Sequence, residues 1–292
     1  MTVIVGCSGW SFDDWVGRFY PIELAKKKGE WFSYYSRYFR TVEINSTFYR
    51  PPNEFMVKAW ANKAKDIEFE YSVKMSQLVT HEALVKGETQ KAVEMAKSFE
   101  KVCVDPLADA GKMGCTLLQL SPYVQNEGKA LDNLRAVLDA LEGKHDYAVE
   151  FRHRSWLDES KHELAPDVIE MLKERNVANV IVDGPGLPIT RTDTADHGYF
   201  RLHGRNYDIW YRDEKEDDLR LNRYDYLYTK EQLEKWVPRI KETERKAKVR
   251  VYFNNHAYSK SAKNAMDLMD LLGVEHKPKD IKITSQYKLD TG

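Results

Sequence analysis

The segment Tyr147–His153 reads YAVEFRH. Val149 and Phe151 are apolar, while Glu150 and Arg152, in the alternate phase, are charged. Strand side chains point alternately to two faces, so this segment has one apolar and one ionic face. The same alternation recurs along the chain. Thr41–Asn45 sets Val42 and Ile44 against Glu43 and Asn45, and Glu68–Lys74 with Met75 sets Val73 and Met75 against Ser72 and Lys74. Gly198–His203 sets Phe200 and Leu202 against Arg201 and His203. Val249–Asn254 sets Val251 and Phe253 against Tyr252 and Asn254. Val3–Cys7 (followed by Ser8), Cys115–Leu120 (with Gln119) and Asn179–Asp183 complete eight strand candidates.

Longer amphipathic stretches lie between them: Gly29–Tyr38, Glu54–Ala64, Glu88–Val102, Gly128–Glu142, Ala165–Arg175, Lys230–Lys246 and Ser259–Leu272. Their apolar residues recur at helical spacing, as Val168, Met171 and Leu172 do. Strands separated by helices imply right-handed crossovers and a parallel sheet. Eight such strands in 292 residues predict an α/β fold, a single-domain (β/α)8 TIM-type barrel. An open doubly wound sheet is the competitor. The first β–α turn, GCSGWS, lacks the GxGxxG spacing and no Walker A motif occurs, so a nucleotide-binding open sheet is disfavoured. No Gly-, Pro- or Ser-rich linker divides the chain, and Gly184–Gly186 reads as a turn.

In a barrel the apolar face of each strand meets the helices and the other face points to the lumen. Ser8, Asn45, Lys74, Gln119, Glu150, Asp183, His203 and Asn254 then converge at the C-terminal ends of the strands, where such barrels build their sites. Buried polar groups are costly unless paired or bound to a ligand. The inward charges are Glu43, Glu150 and Asp183 against Lys74, Arg152 and Arg201. Two readings follow: a closed ion-pair network without chemistry, or a polar active site. Glu43, Lys74, Glu150, Asp183 and His203 are the catalytic candidates. A histidine titrates near neutrality and suits proton transfer, and a lysine with a depressed pKa suits Schiff-base chemistry.

Arg152, Arg201 and Arg205 suit forked recognition of phosphate or carboxylate. Ser8, Asn45, Gln119, Asn254, Asn255, His81 and His153 are further binding candidates. Trp10, Phe48, Tyr49, Trp156 and Trp210 follow strand ends, where they either stack on a ligand or roof the barrel. No HxH or HExxH occurs, and balanced lumen charges oppose a divalent ion, so no metal and no cofactor are expected. Cys7, Cys103 and Cys115 form no CxxC pair. Cys7 and Cys115 lie in apolar runs and read as core, with a catalytic role for the Cys7 thiol as the alternative.

Lys plus Arg is 45 and Asp plus Glu 46, a net charge of −1. That gives no general attraction to nucleic acid or acidic membranes. With 42% hydrophobic and 31% charged residues the chain reads as folded. No apolar run approaches the roughly 20 residues of a membrane helix. The N-terminus MTVIVGCSGW lacks the basic flank and apolar core of a signal peptide, so the cytoplasm is the expected compartment.

GCSGWSFDDWVGRFYP, VEINSTFYRPP, YSVKMSQLVTH, EFRHRSW, YFRLHGR and VYFNNHAYSKSAKNA together resemble the domain-of-unknown-function-72, or YecE-like, family. The motifs run in order from Gly6 to about Leu272. The resemblance implies a (β/α)8-type barrel and a shared pocket, but no reaction. One departure is LSPYVQ after the fourth strand, where the family tends toward a pattern such as PPSF.

Gly204–Tyr228 is charged, aromatic and without helical periodicity. A long connection starting at the candidate site reads as a lid, with Arg205 or Trp210 beside the pocket. The leading functional expectation is an enzyme acting on a small sugar- or phosphate-bearing substrate by metal-independent acid/base chemistry. The alternatives are a nucleic-acid binding or processing protein, like barrel endonucleases, and a binding module without catalysis.

Overall fold

The computed structural model describes residues 2–208 and 223–283. Eight parallel strands close into one barrel in sequence order. They are β1 (Val3–Cys7), β2 (Thr41–Ile44), β3 (Glu70–Lys74), β4 (Met113–Gln119), β5 (Tyr147–Glu150), β6 (Val177–Asp183), β7 (His197–Leu202) and β8 (Lys248–Phe253).

The apolar phase of the strands faces the helices. Val42, Ile44, Val149, Phe151, Phe200, Leu202, Val251 and Phe253 belong to the large outer core. Helices α1 (Trp31–Tyr35), α2 (Ser46–Tyr49), α3 (Glu54–Lys63), α4 (Thr89–Phe99), α5 (Asp105–Asp109), α6 (Ala130–Asp139), α7 (Pro166–Glu174), α8 (Lys230–Glu234), α9 (Val237–Glu244) and α10 (Lys260–Leu272) cover it. Each longer helix buries one stripe, as α6 does with Leu134, Val137 and Leu138. The stretch Lys230–Lys246 is two helices rather than one. Pro238, in the first turn of α9, has no N–H to continue α8. The stretch Glu88–Val102 becomes α4 followed by a wide π turn at Glu100–Val104.

The seam between β1 and β2 is the thinnest, with the single register pair Cys7–Val42. Tyr35 bridges it from outside: its hydroxyl accepts from the Cys7 amide at 3.0 Å and donates to the Thr41 carbonyl at 3.0 Å. The strands approach closely because Gly6 has no side chain; a Cβ there would lie 2.5 Å from the Thr41 oxygen.

Three layers fill the lumen. At the N-terminal end Arg250 binds Glu70 at 2.6 Å and Asp146 at 2.8 Å. Above lie Cys115, Leu117, Ala148, Ala178, Val180, Val182, Tyr199 and Tyr252, and the Tyr252 hydroxyl meets Thr41 at 2.6 Å and Ser72 at 2.8 Å. The third layer, at the C-terminal ends, is ionic. No helix among the described residues is long and apolar enough to cross a membrane.

Candidate functional site

The third layer is built around Arg201 of β7. Its guanidinium reaches Glu43 of β2 through Nε at 2.9 Å and Nη2 at 2.8 Å, and its Nη1 reaches Glu150 of β5 and the Gln119 amide oxygen, the latter at 3.1 Å. Glu43 also accepts from Ser8 and Tyr199, both at 2.7 Å. Glu150 is gripped on its other side by Arg152, whose Nη2 donates to Gln119 at 2.9 Å. Both carboxylates are fully buried. Burial alone pushes the Glu43 carboxyl up, but Arg201 more than offsets this and leaves its pKa below the usual range. For Glu150, burial is outweighed by Arg152 and Arg201 together, and the pKa falls well below the usual value. Two carboxylates are thus held ionised by two guanidiniums.

His203 lies in the same layer, 1% exposed, with Nδ1 3.1 Å from the Asn254 amide nitrogen and Nε2 3.7 Å from Glu150. Burial, then the Arg201 charge, lowers its pKa to about 4, so the imidazole is neutral.

Above this floor opens a cavity of about 1050 Å³, at the upper end of the range for small-molecule sites. Ser8, Asn45, Gln119, Arg152, Arg201 and Asn254 line it, together with Lys74, His81, Trp10 and Tyr49. Glu43, Glu150 and His203 lie beneath the lining. Among the described residues the lining contains no carboxylate, while Lys74, Arg152, Arg201 and Arg223 are cationic.

Lys74 ends β3, where the Thr47 hydroxyl of α2 donates to its carbonyl at 2.6 Å and fixes the backbone. Its Nζ lies 3.8 Å from the centre of the Phe48 ring. No carboxylate among the described residues comes within ion-pair distance, because Glu43 and Glu150 are taken by the arginines. Burial, then the Arg201 and Arg152 charges, outweigh Glu150 and Glu43 and lower its pKa to about 7. His81, 2.9 Å from the Thr80 hydroxyl, is lowered to about 4 by burial and then by Lys74 and Arg152.

Four sequence expectations are corrected by position. Asp183 does not enter the lumen. β6 is apolar on both faces, and Val180 and Val182 take the inward phase, which turns Asp183 outward to Arg205 at 2.7 Å and Trp236 at 3.3 Å. Arg205 is drawn away with it and does not line the cavity. His153 caps the turn at Arg154–Trp156 by accepting from the Ser155 amide at 3.1 Å. Asn255 ties Tyr226 and Asn264 together at 2.7 and 2.9 Å, outside the cavity. Trp156 is fully buried, its indole donating to the Val124 carbonyl at 2.8 Å. Cys7 is sealed in the outer core, and burial pushes its thiol up to about 12. Trp210 and residues 209–222 of the expected lid lie outside the described residues.

Sequence reasoning missed Phe12, Trp60 and His256 on the cavity wall, while Tyr224, also on it, belongs to the Gly204–Tyr228 segment. His256 stacks on Phe12 at 4.5 Å and 4°. It follows Asn254 by two residues in the NNH run, which was the available signal. Arg250 was equally legible, because it shares its phase with Tyr252.

Two groups of possible metal ligands occur among the described residues, Asp105 with Glu142 and His145, and Asp146 with Asp196 and His197. Asp146 and His145 precede β5 and His197 begins β7, so these donors sit at the opposite end of the barrel from the cavity.

The chain matches the family described as "Protein of unknown function DUF72" over residues 4–287. It is 26% identical over 281 residues to the UPF0759 protein YunF of Bacillus subtilis (strain 168), covering 94% of this chain and 96% of YunF. It is 28% identical over 182 residues to the UPF0759 protein YecE of Escherichia coli (strain K12), covering 62% of this chain and 59% of YecE. A solved DUF72 family protein from Thermotoga maritima MSB8 superposes with a TM-score of 0.79 at 30% identity, over 94% of this chain and 100% of that one. D-psicose 3-epimerase from Clostridium cellulolyticum H10, with a TM-score of 0.50 at 11% identity over 92% of this chain and 97% of that one, shares the fold alone. The family match begins in β1 and runs past α10, and the chain belongs to the DUF72 family.

Proposed function

We propose that this protein is an enzyme that binds a small polar anion, such as a phosphate- or carboxylate-bearing sugar derivative, and moves protons on it without a metal. The observation that carries this reading is a cavity lined by Lys74 and Arg152, with Arg201 engaged by Glu43, Glu150 and Gln119 at its base, and with no carboxylate among its described lining residues. Such a donor set attracts an anion and repels a divalent cation. Arg152 engages Glu150, Gln119 and His203 through Nε and Nη2, and among the described residues no acceptor meets its Nη1. Trp10, Phe12, Phe48 and Trp60 supply apolar wall for a ring or carbon chain.

The carboxylates are assigned a positioning role. Held ionised by guanidiniums, Glu43 and Glu150 do not cycle protons near neutral pH. The proton-moving groups are Lys74, with a pKa near ambient pH, and the neutral His81. A concave pocket with a few basic donors suits a compact anion better than a nucleic-acid duplex.

Thermal unfolding with increasing inorganic phosphate tests the anion site. The wild-type melting temperature is expected to rise with phosphate concentration. Arg152→Met, with an unchanged circular dichroism spectrum, is expected to lose most of that rise. A wild-type melting temperature indifferent to phosphate and to phosphorylated sugars overturns the proposal.

A further inference from the structure

Removing a proton beside a carbonyl leaves electrons that something electrophilic must hold. Many barrel enzymes use a metal ion for this. Among the described residues the cavity lining offers no carboxylate to a metal ion, and it does offer an amine. The geometry points to Lys74 as an amine that condenses with the carbonyl group of an anionic aldehyde or ketone, the anion resting on Arg152, to form an imine. This rests on the anion site proposed above.

Three observations carry it. The Lys74 amine has no carboxylate within ion-pair distance among the described residues, Glu43 and Glu150 being taken by the arginines. It projects from the end of β3 into the cavity, with the Phe48 ring 3.8 Å away covering one side against water. Arg152 and Lys74 line the same cavity, so one ligand can reach both with its two ends. The groups acting on the amine are Arg201, Arg152, Glu150 and Glu43, and burial with the two arginines outweighs the two carboxylates. The pKa of about 7 that results leaves about half of the amine uncharged at pH 7, against well under 1% of an ordinary surface lysine.

The step balances without a redox partner. The amine lone pair forms a C–N bond to the carbonyl carbon, and the C=O π electrons move to oxygen. One amine proton passes through water to that oxygen, giving a carbinolamine. The nitrogen lone pair then expels the hydroxyl group, which leaves as water after taking one proton from solvent. The iminium that remains draws electrons from the adjacent carbon, whose C–H bond becomes acidic. His81, neutral and lining the same cavity, is a protein group that can accept that proton.

Reductive trapping tests this. The full-length protein is incubated at pH 7 with glyceraldehyde 3-phosphate and sodium cyanoborohydride, which delivers hydride to an iminium and not to the aldehyde. Adducts are located by intact mass and peptide mapping. The expected result is one adduct on Lys74, formed at least about tenfold faster than on any surface lysine, suppressed by inorganic phosphate and absent in Lys74→Met. Lys74→Arg, which keeps a cation and forms no imine, serves if Lys74→Met fails to fold. Equal surface labelling of wild type and variant, while phosphate still raises the melting temperature, overturns the imine and leaves the anion site standing. Absence of both the adduct and the phosphate effect overturns both.

Discussion

Arg201 holds both carboxylate oxygens of Glu43, Nε to Oε2 at 2.9 Å and Nη2 to Oε1 at 2.8 Å, with side chains 1% and 0% exposed. The same guanidinium binds Glu150, which Arg152 holds from its other side. Replacing Arg201 with an apolar residue takes the guanidinium from Glu43 and leaves Glu150 with Arg152 alone. Arg201→Met is expected to lose about 3–5 kcal/mol of stability in urea unfolding, the usual cost of breaking a buried pair from one side. Adding Glu43→Gln to that variant is expected to restore part of the loss.

Acid stability follows from the neutral histidines. His81, His203 and His256 are each lowered from 6.5 to about 4, chiefly by burial. Between those values the unfolded chain binds more protons than the folded one, so stability rises with pH across that window. Glu43 and Glu150, with lowered pKa values, contribute stability that is present above the ordinary carboxylate range and lost as pH falls through their folded values. Urea midpoints are therefore expected to fall steadily from about pH 6.5 downward. A midpoint constant from pH 7 to 4.5 would show that these imidazoles are not held neutral.

Tyr35 joins β1 to β2 where the strands share one register pair. Tyr35→Phe leaves the buried Cys7 amide and Thr41 carbonyl without that bridge. A loss of about 1–3 kcal/mol is expected in denaturant unfolding. A change below about 0.5 kcal/mol would mean that the seam relaxes to satisfy itself.

The barrel was legible because strands with an ionic inner face announce their phase. In β5 and β7, Glu150, Arg152, Arg201 and His203 fall exactly out of step with Val149, Phe151, Phe200 and Leu202, and the structure turns them inward. β6 failed for the opposite reason. Val180, Ile181 and Val182 are apolar in both phases, so nothing local shows that Asp183 faces a helix. Sequence phase also says which residues enter the lumen, not how deep they lie. Glu43, Glu150 and His203 are one layer below the cavity because Arg201 and Arg152 close over them, which depends on contacts between distant strands. His153 was misread because a strand-end histidine and a turn cap look alike in sequence.

Lys74 is kept in the barrel at a cost in stability. Below its folded value the ammonium is buried against two arginines, and the unfolded chain binds the extra proton more readily between about 7 and 10.5. Stability due to this residue therefore rises with pH over that range. At pH 7 Lys74→Met is expected to be more stable than wild type by about 1–3 kcal/mol, as an apolar group replaces a poorly solvated cation. The same variant is expected to lose catalytic proton transfer. Equal or lower stability would show that the lysine is well solvated or paired.

The protonation state of Lys74 is the hinge on which the acid/base and imine readings turn. It is measured by following the lysine ¹³Cε–¹Hε resonances through a pH titration, with Lys74→Arg identifying the Lys74 signal. A midpoint near 7, far below the other lysines, is the expected outcome. A midpoint near 10.5 would mean an ordinary ammonium ion at the cavity floor and would contradict the account.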